Sequence, residues 1–88
     1  MASIPESLLN DLNRIPRDRP VALLMRHSAR HPIVDPAQPY VAMLTEEGVR
    51  LAEELGGILG KSFSPGRLMA APVTRCQDTA AAIAYGAG

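Results

Sequence analysis

Eighty-eight residues and 9.4 kDa fit one small domain, and a chain of that length buries only roughly 60% of its unfolded surface, so two independent domains are excluded. Hydrophobic residues make up 47% and charged residues 20%, with nine basic against nine acidic side chains, which argues against wholesale disorder and against a globally basic nucleic-acid binder. One cysteine permits no internal disulfide, no apolar run approaches the ~20 residues that span a bilayer, and no secretory leader is visible; a soluble protein of the cytoplasm, with no membrane contact, is expected.

In chain order, Pro5 and Glu6 look like a helix start, and Leu8, Leu9, Leu12 and Ile15 recur at helical spacing until Pro16. Residues 1–19 read as a leading helix and linker. Residues 21–25, a continuous apolar run too short for a helix, read as a strand buried on both faces that ends directly in Arg26 and His27. Residues 28–40 carry Pro32, Pro36 and Pro39 and read as an irregular loop. Thr45 is the expected N-cap of a second helix over about 45–59, with Glu46 and Glu47 in its first turn, a Glu46 to Arg50 pair, and Gly56, Gly57 and Gly60 weakening and then ending it. Ser64, Pro65 and Gly66 form a turn, residues 67–71 contain a second short apolar run, and Pro72 fits the first position of a third helix carrying Val73, Cys76, Ala80 and Ile83 on one side.

Strands alternating with helices predict an α/β fold, with the order α-β-α-β-α and a parallel sheet whose strand ends share one edge. Two strands are too few to cover their helices, so the chain reads as the first part of a larger doubly wound domain, a fragment with 20–88 as its core. Alone it is expected to associate through an open sheet edge.

Charge is uneven along this frame. Residues 13–31 hold five arginines against the single acid Asp18, whereas Glu46, Glu47, Glu53 and Glu54 surround Arg50 on a solvated face. Arg26, His27 and Arg30 leave the end of the first predicted strand together, and Arg75 sits in the first turn or so of the helix after the second. Guanidinium forks match phosphoryl oxygens, and a neutral imidazole nitrogen is a competent nucleophile for phosphoryl transfer in two steps. A helix N-terminus beside Arg75 adds N–H groups that favour an anion, and Thr79 follows one turn later.

The run Leu23-Leu24-Met25-Arg26-His27-Ser28-Ala29-Arg30-His31-Pro32 resembles the signature of the histidine phosphatase superfamily, also called phosphoglycerate-mutase-like. Leu44-Thr45-Glu46-Glu47-Gly48 resembles its Leu-Thr-x-x-Gly segment, and residues 71–80 resemble its Ser-Pro-x-x-Arg-x-x-x-Thr-Ala segment, so the likeness covers roughly residues 20–84. The resemblance implies a phosphorylated nucleophile at His27, with Arg26, Arg30 and Arg75 clamping the phosphoryl oxygens. It also implies phosphomonoester hydrolysis by the complete domain, on a phosphorylated small molecule or a phosphoprotein, without cofactor or metal. The Arg30 and Pro32 spacing is similar to the acid-phosphatase branch. Ser28 and Ala71 depart from the glycine and serine usual at those places, and the family's second histidine and acidic proton donor have no counterpart here, so this stretch alone is expected to be inactive.

Two other readings of the phosphate site are mutase-type transfer and a non-catalytic phosphate-binding or interaction module. His31 reads as a solvated loop residue, since prolines oppose the helix that would pair it with His27 on a metal. Cys76 reads as a small buried residue, because the arginine six places on that a cysteine phosphatase needs is Ala82. Three aromatic residues, Tyr40, Phe63 and Tyr85, offer no stacking platform for nucleic acid.

Overall fold

The computed structural model describes residues 4–19, 21–63 and 68–88. Three helices form there: α1 (Glu6–Asn13), α2 (Glu46–Ser62) and α3 (Thr74–Ala87), with a single 3-10 turn at Pro39–Val41 between the first two. The predicted α/β architecture is overturned. Among the described residues there is no strand, and the one β-type pairing is an isolated antiparallel bridge between Arg30 and Leu44.

Helix α1 starts behind Pro5, whose carbonyl accepts from Leu8 and Leu9, and lays Leu12 against the core with Ile4, Leu8 and Ile15 beside it. Helix α2 is capped as its sequence predicts: Thr45 Oγ1 accepts from the Gly48 N–H at 2.9 Å, and Glu46 and Glu47 occupy the first turn. It continues past the expected end near residue 59 to Ser62. The glycines read as breakers are interior positions, and Gly56 lies so close to α3 that a Cβ there would run into the Ile83 carbonyl oxygen. Their loss of helix propensity is offset by backbone contact between the two helices. Arg17 closes the far end, donating from Nε to the Ser62 carbonyl at 3.2 Å and lying over the Phe63 ring at 4.9 Å.

Helix α3 begins at Thr74, with Val73 rather than a proline-led first turn as its cap, and runs through Gly86 to Ala87. The core is the seam between α2 and α3 covered by α1: Leu12, Ala52, Leu55, Leu59, Ala82 and Ile83.

Residues 21–25 are extended but exposed, in contrast to the buried strand predicted from their apolarity. Leu68 and Met69 are likewise exposed; the turn at 64–66 and Arg67 lie outside the described residues. The physical reason is scale. Two parallel segments of four or five residues offer few, slanted hydrogen bonds and no second layer to cover them, whereas the α2–α3 seam buries side chains at once.

Candidate functional site

Residues 28–31 cross the amino-terminal end of α2 and are fastened to it by backbone. The His31 N–H donates to the Met43 carbonyl at 2.8 Å, and the Thr45 N–H donates to the Ala29 carbonyl at 3.0 Å. Ser28 completes the attachment: its hydroxyl donates to the Gly48 carbonyl at 2.7 Å, and its N–H donates to Thr79 Oγ1 on α3 at 3.0 Å. The Thr79 hydroxyl in turn donates to the Arg75 carbonyl at 2.7 Å. One loop is thus tied to the first turn of α2 and the second turn of α3.

Gly48 makes this approach feasible. Its backbone lies against Ala29, and a Cβ there would collide with the Ala29 carbonyl oxygen. The Leu44-Thr45-x-x-Gly48 pattern therefore has a local physical meaning: a bridge to Arg30, a helix cap, and a place with no side chain where the loop rests.

Just before the fastened loop, the half-buried His27 turns its ring back on it. Nδ1 lies 2.7 Å from the Ser28 carbonyl oxygen, and a carbonyl can only accept, so Nδ1 carries the proton. In the neutral ring Nε2 then holds the lone pair. Arg26, His27, Ser28, Ala29, Arg30 and Pro32 line one open cleft of about 520 Å³. Arg26 is exposed and makes no hydrogen bond or ion pair among the described residues, while Arg30 donates from one terminal nitrogen to the His31 carbonyl at 2.9 Å. With two guanidinium groups and no acid in its lining, the cleft favours an anion.

Arg75 is placed differently from the other three. It does not line the cleft; one terminal nitrogen donates to the Pro39 carbonyl at 2.8 Å, and its buried Nε has no hydrogen-bond partner among the described residues. It connects to the cleft through Thr79 and Ser28. Three of the four predicted site residues therefore share one cavity, and the fourth holds the loop's return path at Pro39. His31 is exposed and outside the cleft lining, and Asp35 accepts from the Ala37 N–H at 2.9 Å.

Comparison with known proteins finds no match: no family model fits the chain, and no curated protein or solved structure is significantly similar to it. Among the described residues, no group of three His, Cys, Asp or Glu side chains is arranged to hold a metal ion, and no helix is long and apolar enough to cross a membrane.

In the sequence Ser28 reads only as a departure from the glycine usual at that place. Its hydroxyl is engaged with Gly48. The available signal was its position, one residue after the histidine and facing a helix with a glycine in its first turn. Nothing in the sequence signalled Pro39 as the acceptor for Arg75.

Proposed function

We propose that His27 is the nucleophile of a phosphoryl-transfer site and that the complete domain, a member of the histidine phosphatase superfamily, hydrolyses phosphomonoesters. The observation that carries this reading is the 2.7 Å bond from His27 Nδ1 to the Ser28 carbonyl, which leaves Nε2 free beside two guanidinium groups.

The chemistry follows from those groups. The Nε2 lone pair attacks phosphorus as the ester P–O bond breaks, and the departing alkoxide takes a proton from solvent. Arg26 and Arg30 balance the charge on the phosphoryl oxygens, and the Ser28 carbonyl steadies the ring as it becomes cationic. Water then attacks phosphorus, the P–N bond breaks, and inorganic phosphate leaves with Nε2 restored.

A second reading has its own observation. The cleft lining holds no carboxylic acid to protonate a leaving group, and Arg75 is engaged elsewhere, which suits a module that binds phosphate without turnover. One experiment separates the two. With the complete protein in chelator-treated solution, release of the phenol from a generic aryl phosphate, abolished by His27→Ala, supports catalysis through His27. Phosphate binding that depends on Arg26 and Arg30, with no turnover, supports the module. Turnover undiminished in His27→Ala contradicts the first reading.

A further inference from the structure

The histidine cleft has a larger neighbour. A groove of about 1310 Å³ runs between residues 21–27 and 68–71, floored by Leu59, Phe63, Cys76, Ala80 and Ile83. Its two walls have an unusual property. Among the described residues, no backbone N–H or C=O group of residues 21–26 or 68–71 makes a hydrogen bond. The walls are also apolar and free of turns and bends: Val21, Leu23 and Met25 are exposed to 45%, 44% and 46%, and Leu24 to 101%.

Charge narrows the choice of occupant. Arg17, Arg19, Arg26 and Lys61 belong to the lining and none of the described lining residues is acidic, although Arg19 is paired with Asp18 at 3.4 Å and Arg17 donates to the Ser62 carbonyl. A second copy docking groove to groove would set these cations against their own duplicates, which opposes a symmetric dimer here. An anionic lipid would satisfy the charges and the apolar walls. It would also bury two lines of backbone donors and acceptors with nothing to bond them, and each such group costs about 1–3 kcal/mol. Only another extended backbone supplies partners at the required spacing.

We propose that this groove is the docking site for an extended apolar segment of a partner protein flanked by acidic residues. The segment hydrogen-bonds to residues 21–26 or 68–71, turns alternate apolar side chains onto the floor, and places its acids against the cationic rim.

The probe is a short fluorescein-labelled peptide of alternating valine and threonine with a glutamate pair at each end. Two twins accompany it, one ending in lysines and one methylated on alternate backbone nitrogens. Fluorescence polarisation should give the glutamate peptide an affinity about tenfold above the lysine twin at low ionic strength, with the gap closing as salt rises. Backbone methylation should weaken binding by about tenfold or more, because it removes the pairing donors. Lys61→Glu should weaken the glutamate peptide. So should Leu24→Glu, a change at a fully exposed side chain that leaves the helical circular dichroism as it is.

No binding by any peptide, equal binding of the lysine twin, or equal binding of the methylated twin would overturn the proposal. A concentration-dependent dimer in sedimentation, abolished by Leu24→Glu, would assign the groove to a second copy and overturn it too. The probes carry no phosphate, so neither result depends on the chemistry at His27.

Discussion

At His27 a single hydrogen bond decides which nitrogen can react. Proton on Nδ1, lone pair on Nε2 is the expected tautomer of the neutral ring, and two-bond proton–nitrogen correlation spectra of the imidazole should show a pyrrole-like Nδ1 and a pyridine-like Nε2. The opposite assignment would remove the nucleophile from the cleft. Arg30 and Arg75 should separate in the same spirit. Arg30→Ala should weaken phosphate binding by about tenfold or more with the helices intact, as loss of a charge-assisted contact does. Arg75→Ala removes the bond to the Pro39 carbonyl and should act on the loop, detected as faster amide exchange at residues 39–45. The sequence made His27, Arg26 and Arg30 visible because they are packed into five consecutive positions. Arg75 was legible as a helix-start arginine, but which carbonyl it would hold depends on a loop whose three prolines fix local angles and not its path.

The helices themselves were the most readable elements, and α2 shows why and where reading stopped. Thr45, followed by two glutamates and an apolar stripe, marks a helix start by local chemistry alone. Its end was misread because a glycine lowers helix propensity wherever it stands, whereas its use at Gly56 is contact with a helix still to come in the chain. Gly48→Ala should therefore be the more damaging change despite alanine's better propensity. Its methyl group meets the Ala29 carbonyl, and a loss of about 1–3 kcal/mol, read from the urea midpoint, is expected. Thr45→Ala should cost about 1 kcal/mol by losing the cap.

The α2 surface also carries a pH dependence. Arg50 donates to Glu47 and, at 3.1 Å, to Glu54, and its hydrogen bond to Glu47 holds that carboxyl below its ordinary value. A lowered carboxylate pKa contributes stability that is fully present above the ordinary glutamate range and is lost as pH falls through the lowered value. Acid titration of the helical signal should accordingly flatten in Glu47→Gln; an unchanged acid limb would remove Glu47 from the account.

For the molecule as a whole, the α2–α3 seam is too small to make it tightly packed. Its radius of gyration is 13.8 Å, against about 12 Å for a compact domain of this length, and its extents are 45 × 28 × 21 Å. No large side chain among the described residues is fully buried. Low cooperativity is the consequence: the chain should bind an apolar dye in water and unfold over a broad range of urea, and a sharp transition with no dye binding would contradict this. This is also the scale at which sequence was least informative. A run such as Val21-Ala22-Leu23-Leu24-Met25 carries the same signal whether its backbone is paired inside a sheet or lies open beside a groove, because hydrophobicity reports a tendency to be covered and not what does the covering.

The nucleophile assignment is tested most directly by trapping the intermediate. After brief exposure to an aryl phosphate under chelating conditions, the complete protein is quenched in alkali and examined by phosphorus NMR and peptide mass spectrometry. An acid-labile, alkali-stable phosphoramidate on Nε2 of His27, absent from His27→Ala, is the expected result. Phosphate on Nδ1, or on another residue, or turnover with no phosphohistidine at all, would contradict it.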